Sequence, residues 1–462
     1  MFYRMIILIF ISLFYQSGCS SSHSINSYPR ERPIGKGIAT YRSPKKPTLS
    51  SRGYKEATGS ISLAQALSLA LMYNPELRSF SWEVRAREAR VLQASLYSNP
   101  EISADVENFA GSGKVRGLNS TEITIWLSQS IQLGGKVSKR RRVALLESRL
   151  AGWNYEAKRI DVLSRTGKAF IDLLAQQESV KLLKQLVQLN KIVLKTITHF
   201  VQGGRVSPIE ITRSKLDLSF IQMELQRMKR NLRIAKSNLA ATWGSPSPNF
   251  TRAAGNLKRI RNIPPPQELI ERISQNPDLS RWAIEMERRK AKIILEKAKG
   301  IPNLMIRGGV RHFNGTGDNG FVLGIAIPIP LFDRNQGGKL EAKYRLSKAK
   351  EDKEQVKILI LTALSRAYQI LKRNAQDLEI LRKRILPASK KTFNDTRLAY
   401  QYGKLDYLRL LDAQQIYFRA RRQYIDSLRA YHKAVIDVER LIGERLDRLK
   451  YPYPNETSEV QP

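Results

Sequence analysis

Apolar residues recur along this chain in two rhythms. Leu63, Ala66, Leu67, Ala70 and Leu71 follow helical spacing. Ile102, Ala104 and Val106 instead alternate with Ser103, Asp105 and Glu107. The first rhythm predicts a helix over about 63–98. Asn74-Pro75 breaks it early and Asn99-Pro100 ends it, because the residue before a proline is pushed out of the helical region. The second rhythm predicts a strand. A partner strand follows, in which Ile123, Ile125 and Leu127 alternate with Thr124, Trp126 and Ser128. Gly111, Ser112, Gly113 and Gly117 supply the loop between them. The product is a hairpin with one apolar and one mostly polar face.

The same order returns later in the chain. Asn74-Pro75-Glu76-Leu77 reappears as Asn276-Pro277-Asp278-Leu279, and Pro100-Glu101-Ile102 as Pro302-Asn303-Leu304. Gly204-Arg205-Val206-Ser207-Pro208-Ile209 matches Gly403-Lys404-Leu405-Asp406-Tyr407-Leu408. Two copies of one unit are therefore expected, over 61–262 and 263–443, joined near Pro264-Pro265-Pro266. In the second hairpin Leu304, Ile306 and Val310 oppose Arg307 and Arg311. Phe321, Leu323, Ile325, Ile327 and Ile329 then alternate with smaller residues. Pro328 and Pro330 cannot donate to a ladder, so this strand should fray there.

A long helix follows each hairpin, about 137–200 and 338–401. Each would run about 95 Å at 1.5 Å per residue. Leu364, Ala367, Leu371, Ala375, Leu378, Leu381 and Ile385 are spaced by threes and fours, as in a coiled-coil seam. A further helix closes each copy, about 208–243 and 406–442. The expected class is mainly α with membrane β: long coiled-coil helices plus two β-hairpins per chain. Four amphipathic strands cannot close a barrel, and open strand edges are not tolerated in lipid. Several chains must pool their hairpins, and three chains would give twelve strands. Trp126, Phe109, Phe313, Phe321 and Phe332 fall toward the expected strand ends, where aromatic girdles sit.

Charge and the N-terminus refine this picture. Lys and Arg number 79 against 41 Asp and Glu, a formal net charge of +38. The basic residues are spread along the helices and mixed with acids. No zinc-finger spacing or aromatic stacking platform accompanies them, so solvated helix faces are favoured over a nucleic-acid partner. Arg4 precedes an apolar run from Met5 to Tyr15, too short to span a bilayer but suited to a signal peptide over 1–18. Cys19, the only cysteine, follows Ser17-Gly18 and is the candidate for lipidation. The alternative is ordinary cleavage near Gly18. Residues 19–60 read as a poorly ordered leader and 444–462 as a flexible tail.

The series Ser98-Asn99-Pro100-Glu101, Val106-Glu107-Asn108-Phe109, Gln132-Leu133-Gly134-Gly135-Lys136 and Ile327-Pro328-Ile329-Pro330-Leu331-Phe332-Asp333-Arg334-Asn335-Gln336-Gly337 resembles the TolC-like outer-membrane efflux family. Within it, the resemblance is closest to the CzcC-like branch that serves heavy-metal and related exporters. It covers about residues 60–443. It implies a homotrimer with a twelve-stranded barrel in outer-membrane lipid and an α-helical periplasmic tunnel. It also implies a periplasmic adaptor and an inner-membrane RND-type pump as partners, and no cofactor. Heavy-metal cations, drugs or solutes, and type I protein secretion remain open as cargo. A periplasmic coiled-coil adaptor or scaffold is the reading from another class.

No catalytic constellation is visible. His23, His199, His312 and His432 lie on separate elements without ligand spacing, and Gly134-Gly135-Lys136 is a strand-to-helix corner rather than a phosphate loop. The resemblance places a periplasmic constriction at the turn after the second long helix. That makes Arg409 and Asp412 gate candidates, with ordinary surface charges as the competing reading. Gly204, Arg205, Ser207, Gly403 and Lys404 become candidates for contact with the adaptor.

Overall fold

The computed structural model describes residues 26–46, 57–260 and 262–448. The expected signal peptide, Cys19, His23 and the tail beyond Arg448 lie outside these residues.

Near the start of each repeat stands an asparagine that caps a helix. α1 (Leu63–Tyr73) ends at Asn74, which opens α2 (Pro75–Ser95). The Asn74 Oδ1 accepts from the Leu77 amide at 2.8 Å, satisfying a free donor of the first turn. Its Nδ2 donates to the Thr242 carbonyl at 2.8 Å, where the last helix of the repeat ends. Asn276 does the same in the second repeat. Its Oδ1 accepts from Asp278 N at 2.8 Å, and its Nδ2 donates to Leu441 O at 2.9 Å. One side chain thus starts a helix and closes the unit.

Hairpin strands β2 (Glu101–Glu107) and β3 (Glu122–Ile131) lead into α3 (Lys136–Gln202), which is 67 residues long. α4 (Ile209–Ala241) returns beside it. The second repeat runs through α5 (Pro266–Glu271), α6 (Pro277–Lys299), β5 (Leu304–Phe313) and β6 (Asn319–Ala326). β6 ends two residues before Pro328. The second long helix is α7 (Gln336–Ile380), a π-turn (Leu381–Ile385) and α8 (Leu386–Gln401). Pro387 has no N–H and its ring crowds the carbonyl four residues back. The wider π-turn accommodates both without ending the helix. α9 (Tyr407–Ile442) is the last α-helix among the described residues.

The largest core lies where α3, α4, α7 and α9 meet, and includes Phe170, Leu173, Leu239, Leu371, Tyr431 and Val438. A short parallel pair covers it, β1 (Gly59–Ser62) with β4 (Phe250–Ala254), which the alternation pattern did not announce. The four hairpin strands form a separate antiparallel sheet in the order β2-β3-β5-β6.

Two expectations about the ends differ from the structure. Part of the leader is packed rather than loose. Tyr28 and Ser43 bond to Ser81 of α2, Ile34 is buried against α3, and the Ile34 amide donates to Gly443 O at 3.2 Å. The clasp is an ion pair inside α3. Arg159, fully buried, bonds Glu156 at 2.8 Å and donates to the carbonyl of Ile34, while Glu156 accepts from the Arg32 amide. Gly152 is required here, since a Cβ would lie 1.9 Å from the Ser27 carbonyl oxygen. The C-terminal tail also starts later than 444: Leu446 is buried and its amide bonds Glu439.

Candidate functional site

Register sets the two faces of the sheet. Ile102, Leu127, Gly308 and Leu323 form one cross-strand row, and Ala104, Ile125, Val310 and Phe321 the next. This face is apolar and uncovered, with Ile102 and Leu323 both 78% exposed. The opposite face is polar and internally paired. Arg311 bonds Glu122 at 2.7 Å, Glu107 at 2.9 Å and the Thr124 hydroxyl at 2.9 Å. Trp126 Nε1 donates to Asp105 at 2.7 Å, and the Arg307 guanidinium lies 4.5 Å from the Trp126 ring centre.

Trp126 is therefore not a girdle residue. It sits in mid-strand on the polar face and crosses Gly309, where a Cβ would meet its ring at 3.1 Å and the Ile125 carbonyl oxygen at 2.3 Å. Its alternation with Ile125 and Leu127 already assigned it to that face. Phe321 does stand near a strand end on the apolar side.

The outer edges of β2 and β6 have no strand partner among the described residues. An uncovered apolar face favours lipid at about 25 cal/mol per Å². In lipid those edge N–H and C=O groups must find strands from elsewhere. No described helix is long and apolar enough to cross a membrane.

The second element of the site is the far end of the helical body. The α3–α4 and α8–α9 turns have the same backbone design. Arg205 N donates to Phe200 O at 2.8 Å and Gly204 N to Val201 O at 3.0 Å. Lys404 N donates to Ala399 O at 2.9 Å and Gly403 N to Tyr400 O at 3.0 Å. This is a Schellman-type stop, and it puts Gly204 and Gly403 at φ +67° and +74°. The two turns share one cluster built from Val193, Ile197, Phe393, Tyr400, Tyr407 and Leu410. All five adaptor-contact candidates, Gly204, Arg205, Ser207, Gly403 and Lys404, are exposed at this end.

Arg409 and Asp412 are also exposed there, on the first turns of α9. Asp406 caps that helix by accepting from the Arg409 amide at 2.9 Å. Within the protomer the Arg409 and Asp412 side chains form no ion pair with each other, so their charges face outward unpaired among the described residues. The sequence reading missed the link behind them. The buried Tyr407 hydroxyl donates to Asp217 at 3.0 Å, tying α9 to α4. Burial pushes the Tyr407 hydroxyl up, so it stays a donor at neutral pH. Burial also raises Tyr400, whose hydroxyl has no hydrogen-bond partner among the described residues. The signal was present as tyrosines on both sides of the Gly403 turn.

Comparison with known proteins is consistent with this layout. The sequence pattern of the outer membrane efflux protein family matches residues 66–245 and 269–444, one match per repeat. The chain is 29% identical over 389 residues to the cobalt-zinc-cadmium resistance protein CzcC of Cupriavidus metallidurans, covering 84% of this chain and 91% of that protein. It is 25% identical to the nickel and cobalt resistance protein CnrC of the same organism, over 64% of this chain and 69% of the relative. The crystal structure of CusC, reported for its folding and transmembrane channel formation, superposes with a TM-score of 0.70 at 18% identity, over 88% of this chain and 99% of that one.

Proposed function

We propose a function from one premise: the chain belongs to the outer membrane efflux protein family. It is an outer-membrane component of an efflux system, acting as a passive exit duct. In our reading three copies pool their sheets into a twelve-stranded barrel, with the long helices continuing it as a periplasmic tunnel. A periplasmic adaptor and an RND-type inner-membrane pump complete the path and supply the energy. The observation that carries this is the four-stranded sheet with one bare apolar face and two open edges. The cargo we propose is divalent heavy-metal cations. The names of the two relatives support it, since they refer to cobalt, zinc, cadmium and nickel. Deletion of the gene should sensitise cells to these ions, and the protein should fractionate with the outer membrane as a heat-sensitive trimer. Unchanged metal tolerance with new sensitivity to organic toxicants would move the assignment to drug or solute export. Recovery as a soluble periplasmic protein would favour an adaptor or scaffold.

Lipidation of Cys19 belongs to the same proposal, and the packed leader supports it geometrically. From Ser27 to Gly35 the leader runs parallel to α3, with Ser27 beside Ser148 and Gly35 beside Arg159. Its upstream end therefore points toward the sheet. Ser148 lies about 18 Å along α3 from Lys136 at 1.5 Å per residue. The residues between Cys19 and Ser27 reach about 26 Å when extended, enough to put an acyl chain in the periplasmic leaflet. Mass spectrometry of the mature N-terminus checks this; an unmodified Cys19 would contradict it.

Arg409 and Asp412 are proposed as the gate and the two Schellman turns as the adaptor's contact. Around a threefold axis each charge approaches its own copies, and pairing between protomers would relieve the repulsion. Replacing both with Ala should raise single-channel conductance in planar bilayers. Unchanged conductance and ion selectivity would leave them as surface charges.

A further inference from the structure

A cavity of about 590 Å³ lies at mid-height, between α3, the loop after β4, the π-turn and α9. Its rim carries Lys181 from α3, Lys258 from the loop, Arg382 from the π-turn and Lys390 from α8. Arg421 of α9 adds a fifth cation, with its guanidinium 5.7 Å from the Tyr417 ring centre. Glu178 is the one carboxylate on this rim. The first four cations are exposed, and none of their side chains makes a hydrogen bond or ion pair among the described residues. On the same helix as Arg421, by contrast, Arg429 and Lys433 are both matched to Asp172. The floor below the rim is different in kind. Leu174, Leu182 and Leu428, all buried, make it apolar, with Tyr424 at its side.

From this we infer that the cavity is a binding site for a small amphipathic polyanion, an aromatic or alicyclic group bearing two or more sulfonate, phosphate or carboxylate groups. Convergent like charges around a concavity raise the local potential and are relieved by a multivalent anion. The apolar floor adds contact that a simple inorganic ion cannot use. The volume suits a ligand of that size. Because the rim joins α3 and the loop after β4 to the π-turn and α8, a bound anion bridges the second long helix at its irregular turn to the first. The site is independent of the cargo assigned above.

The test uses the detergent-solubilised full-length protein and two probes, naphthalene-1,3,6-trisulfonate and inorganic phosphate, in isothermal titration calorimetry. The trisulfonate should bind saturably, one per chain, at least tenfold more tightly than phosphate, and should raise the thermal midpoint. Lys258→Gln with Arg382→Gln should weaken it at least tenfold. Glu178→Gln should strengthen it. These side chains are exposed, so the variants keep the fold, which circular dichroism verifies. Equal affinity for the two probes, no saturable binding, or a double variant that binds like the parent would each overturn the inference.

Discussion

The two long helices descend from one repeated pattern, yet the protomer treats them differently. α3 is enclosed by α1, α2, α4, α6 and α9, and the leader lies along it. α7 meets α6 and α9, touches α5, and leaves Leu340, Tyr344, Ile358 and Leu359 exposed. α4, on the first repeat's side, likewise exposes Phe220 and Met223. A repeated sequence has therefore produced one helix with a finished surface and another that is unfinished. The unfinished flanks belong to the same protomer whose sheet has two open edges. In the proposed trimer neighbouring copies would meet both kinds of incompleteness without rearrangement within the chain.

The largest expected effect comes from charging the exposed flank. Ile358→Lys with Leu359→Lys should abolish the heat-sensitive trimer on gels while far-ultraviolet dichroism still reports helix. A buried pair on α3, Leu173→Lys with Leu174→Lys, should instead prevent folding, because both side chains are enclosed by the body. A trimer that survives the α7 substitutions would erase the distinction between the helices.

Next comes the leader clasp, which has no counterpart on α7. Arg159→Ala leaves Glu156 charged and buried, a change that costs about 3–5 kcal/mol at such sites. The thermal midpoint should fall, and the segment at 26–46 should become sensitive to protease before the helical body does. A smaller and symmetric effect is expected at the caps. Asn74→Ala and Asn276→Ala should each cost about 1 kcal/mol, and about equally, since the two side chains make matching bonds.

The subtlest contrast is in acid. Glu296 on α6 has no acidic counterpart at Ala94. Burial works against its charge, but hydrogen bonds from Lys299, Asn335 and Lys292 outweigh it and hold its pKa at about 2, below the ordinary 4.5. A lowered carboxylate contributes stability above its unfolded pKa and loses it as pH falls through the folded one. Stability should therefore decline between about pH 4.5 and 2, and Glu296→Gln should shallow that decline when melts are compared across the window.

Much of this architecture was legible because it rests on short-range rules. Asn-Pro breaks, period-two alternation and the spacing between the copies located the helices, hairpins and turns. What was missed depends on distant contacts. The leader around Ile34 is polar and aperiodic, and only its pairing with Arg159 and Gly443 gives it structure. β1 and β4 are separated by most of a repeat, so no local pattern joins them. Pro387 was visible in the sequence, but whether it would end the helix or be absorbed by a π-turn depended on packing below it. At the tip, Arg409 and Asp412 drew notice as charges, whereas the Tyr407–Asp217 bond between two helices was invisible without the fold.

The central claim is that β2 and β6 of different copies meet. Within one protomer β3 and β5 lie between them, so at about 4.8 Å per strand their edges are about 14 Å apart, too far for a disulfide. Cysteine at Ser103 on β2, combined in turn with cysteine at Val322, Gly324 or Ala326 on β6, should give a covalent trimer after mild oxidation in outer-membrane vesicles for at least one pairing. Monomers alone in every pairing, under conditions where both thiols are reactive, would contradict a barrel shared among copies.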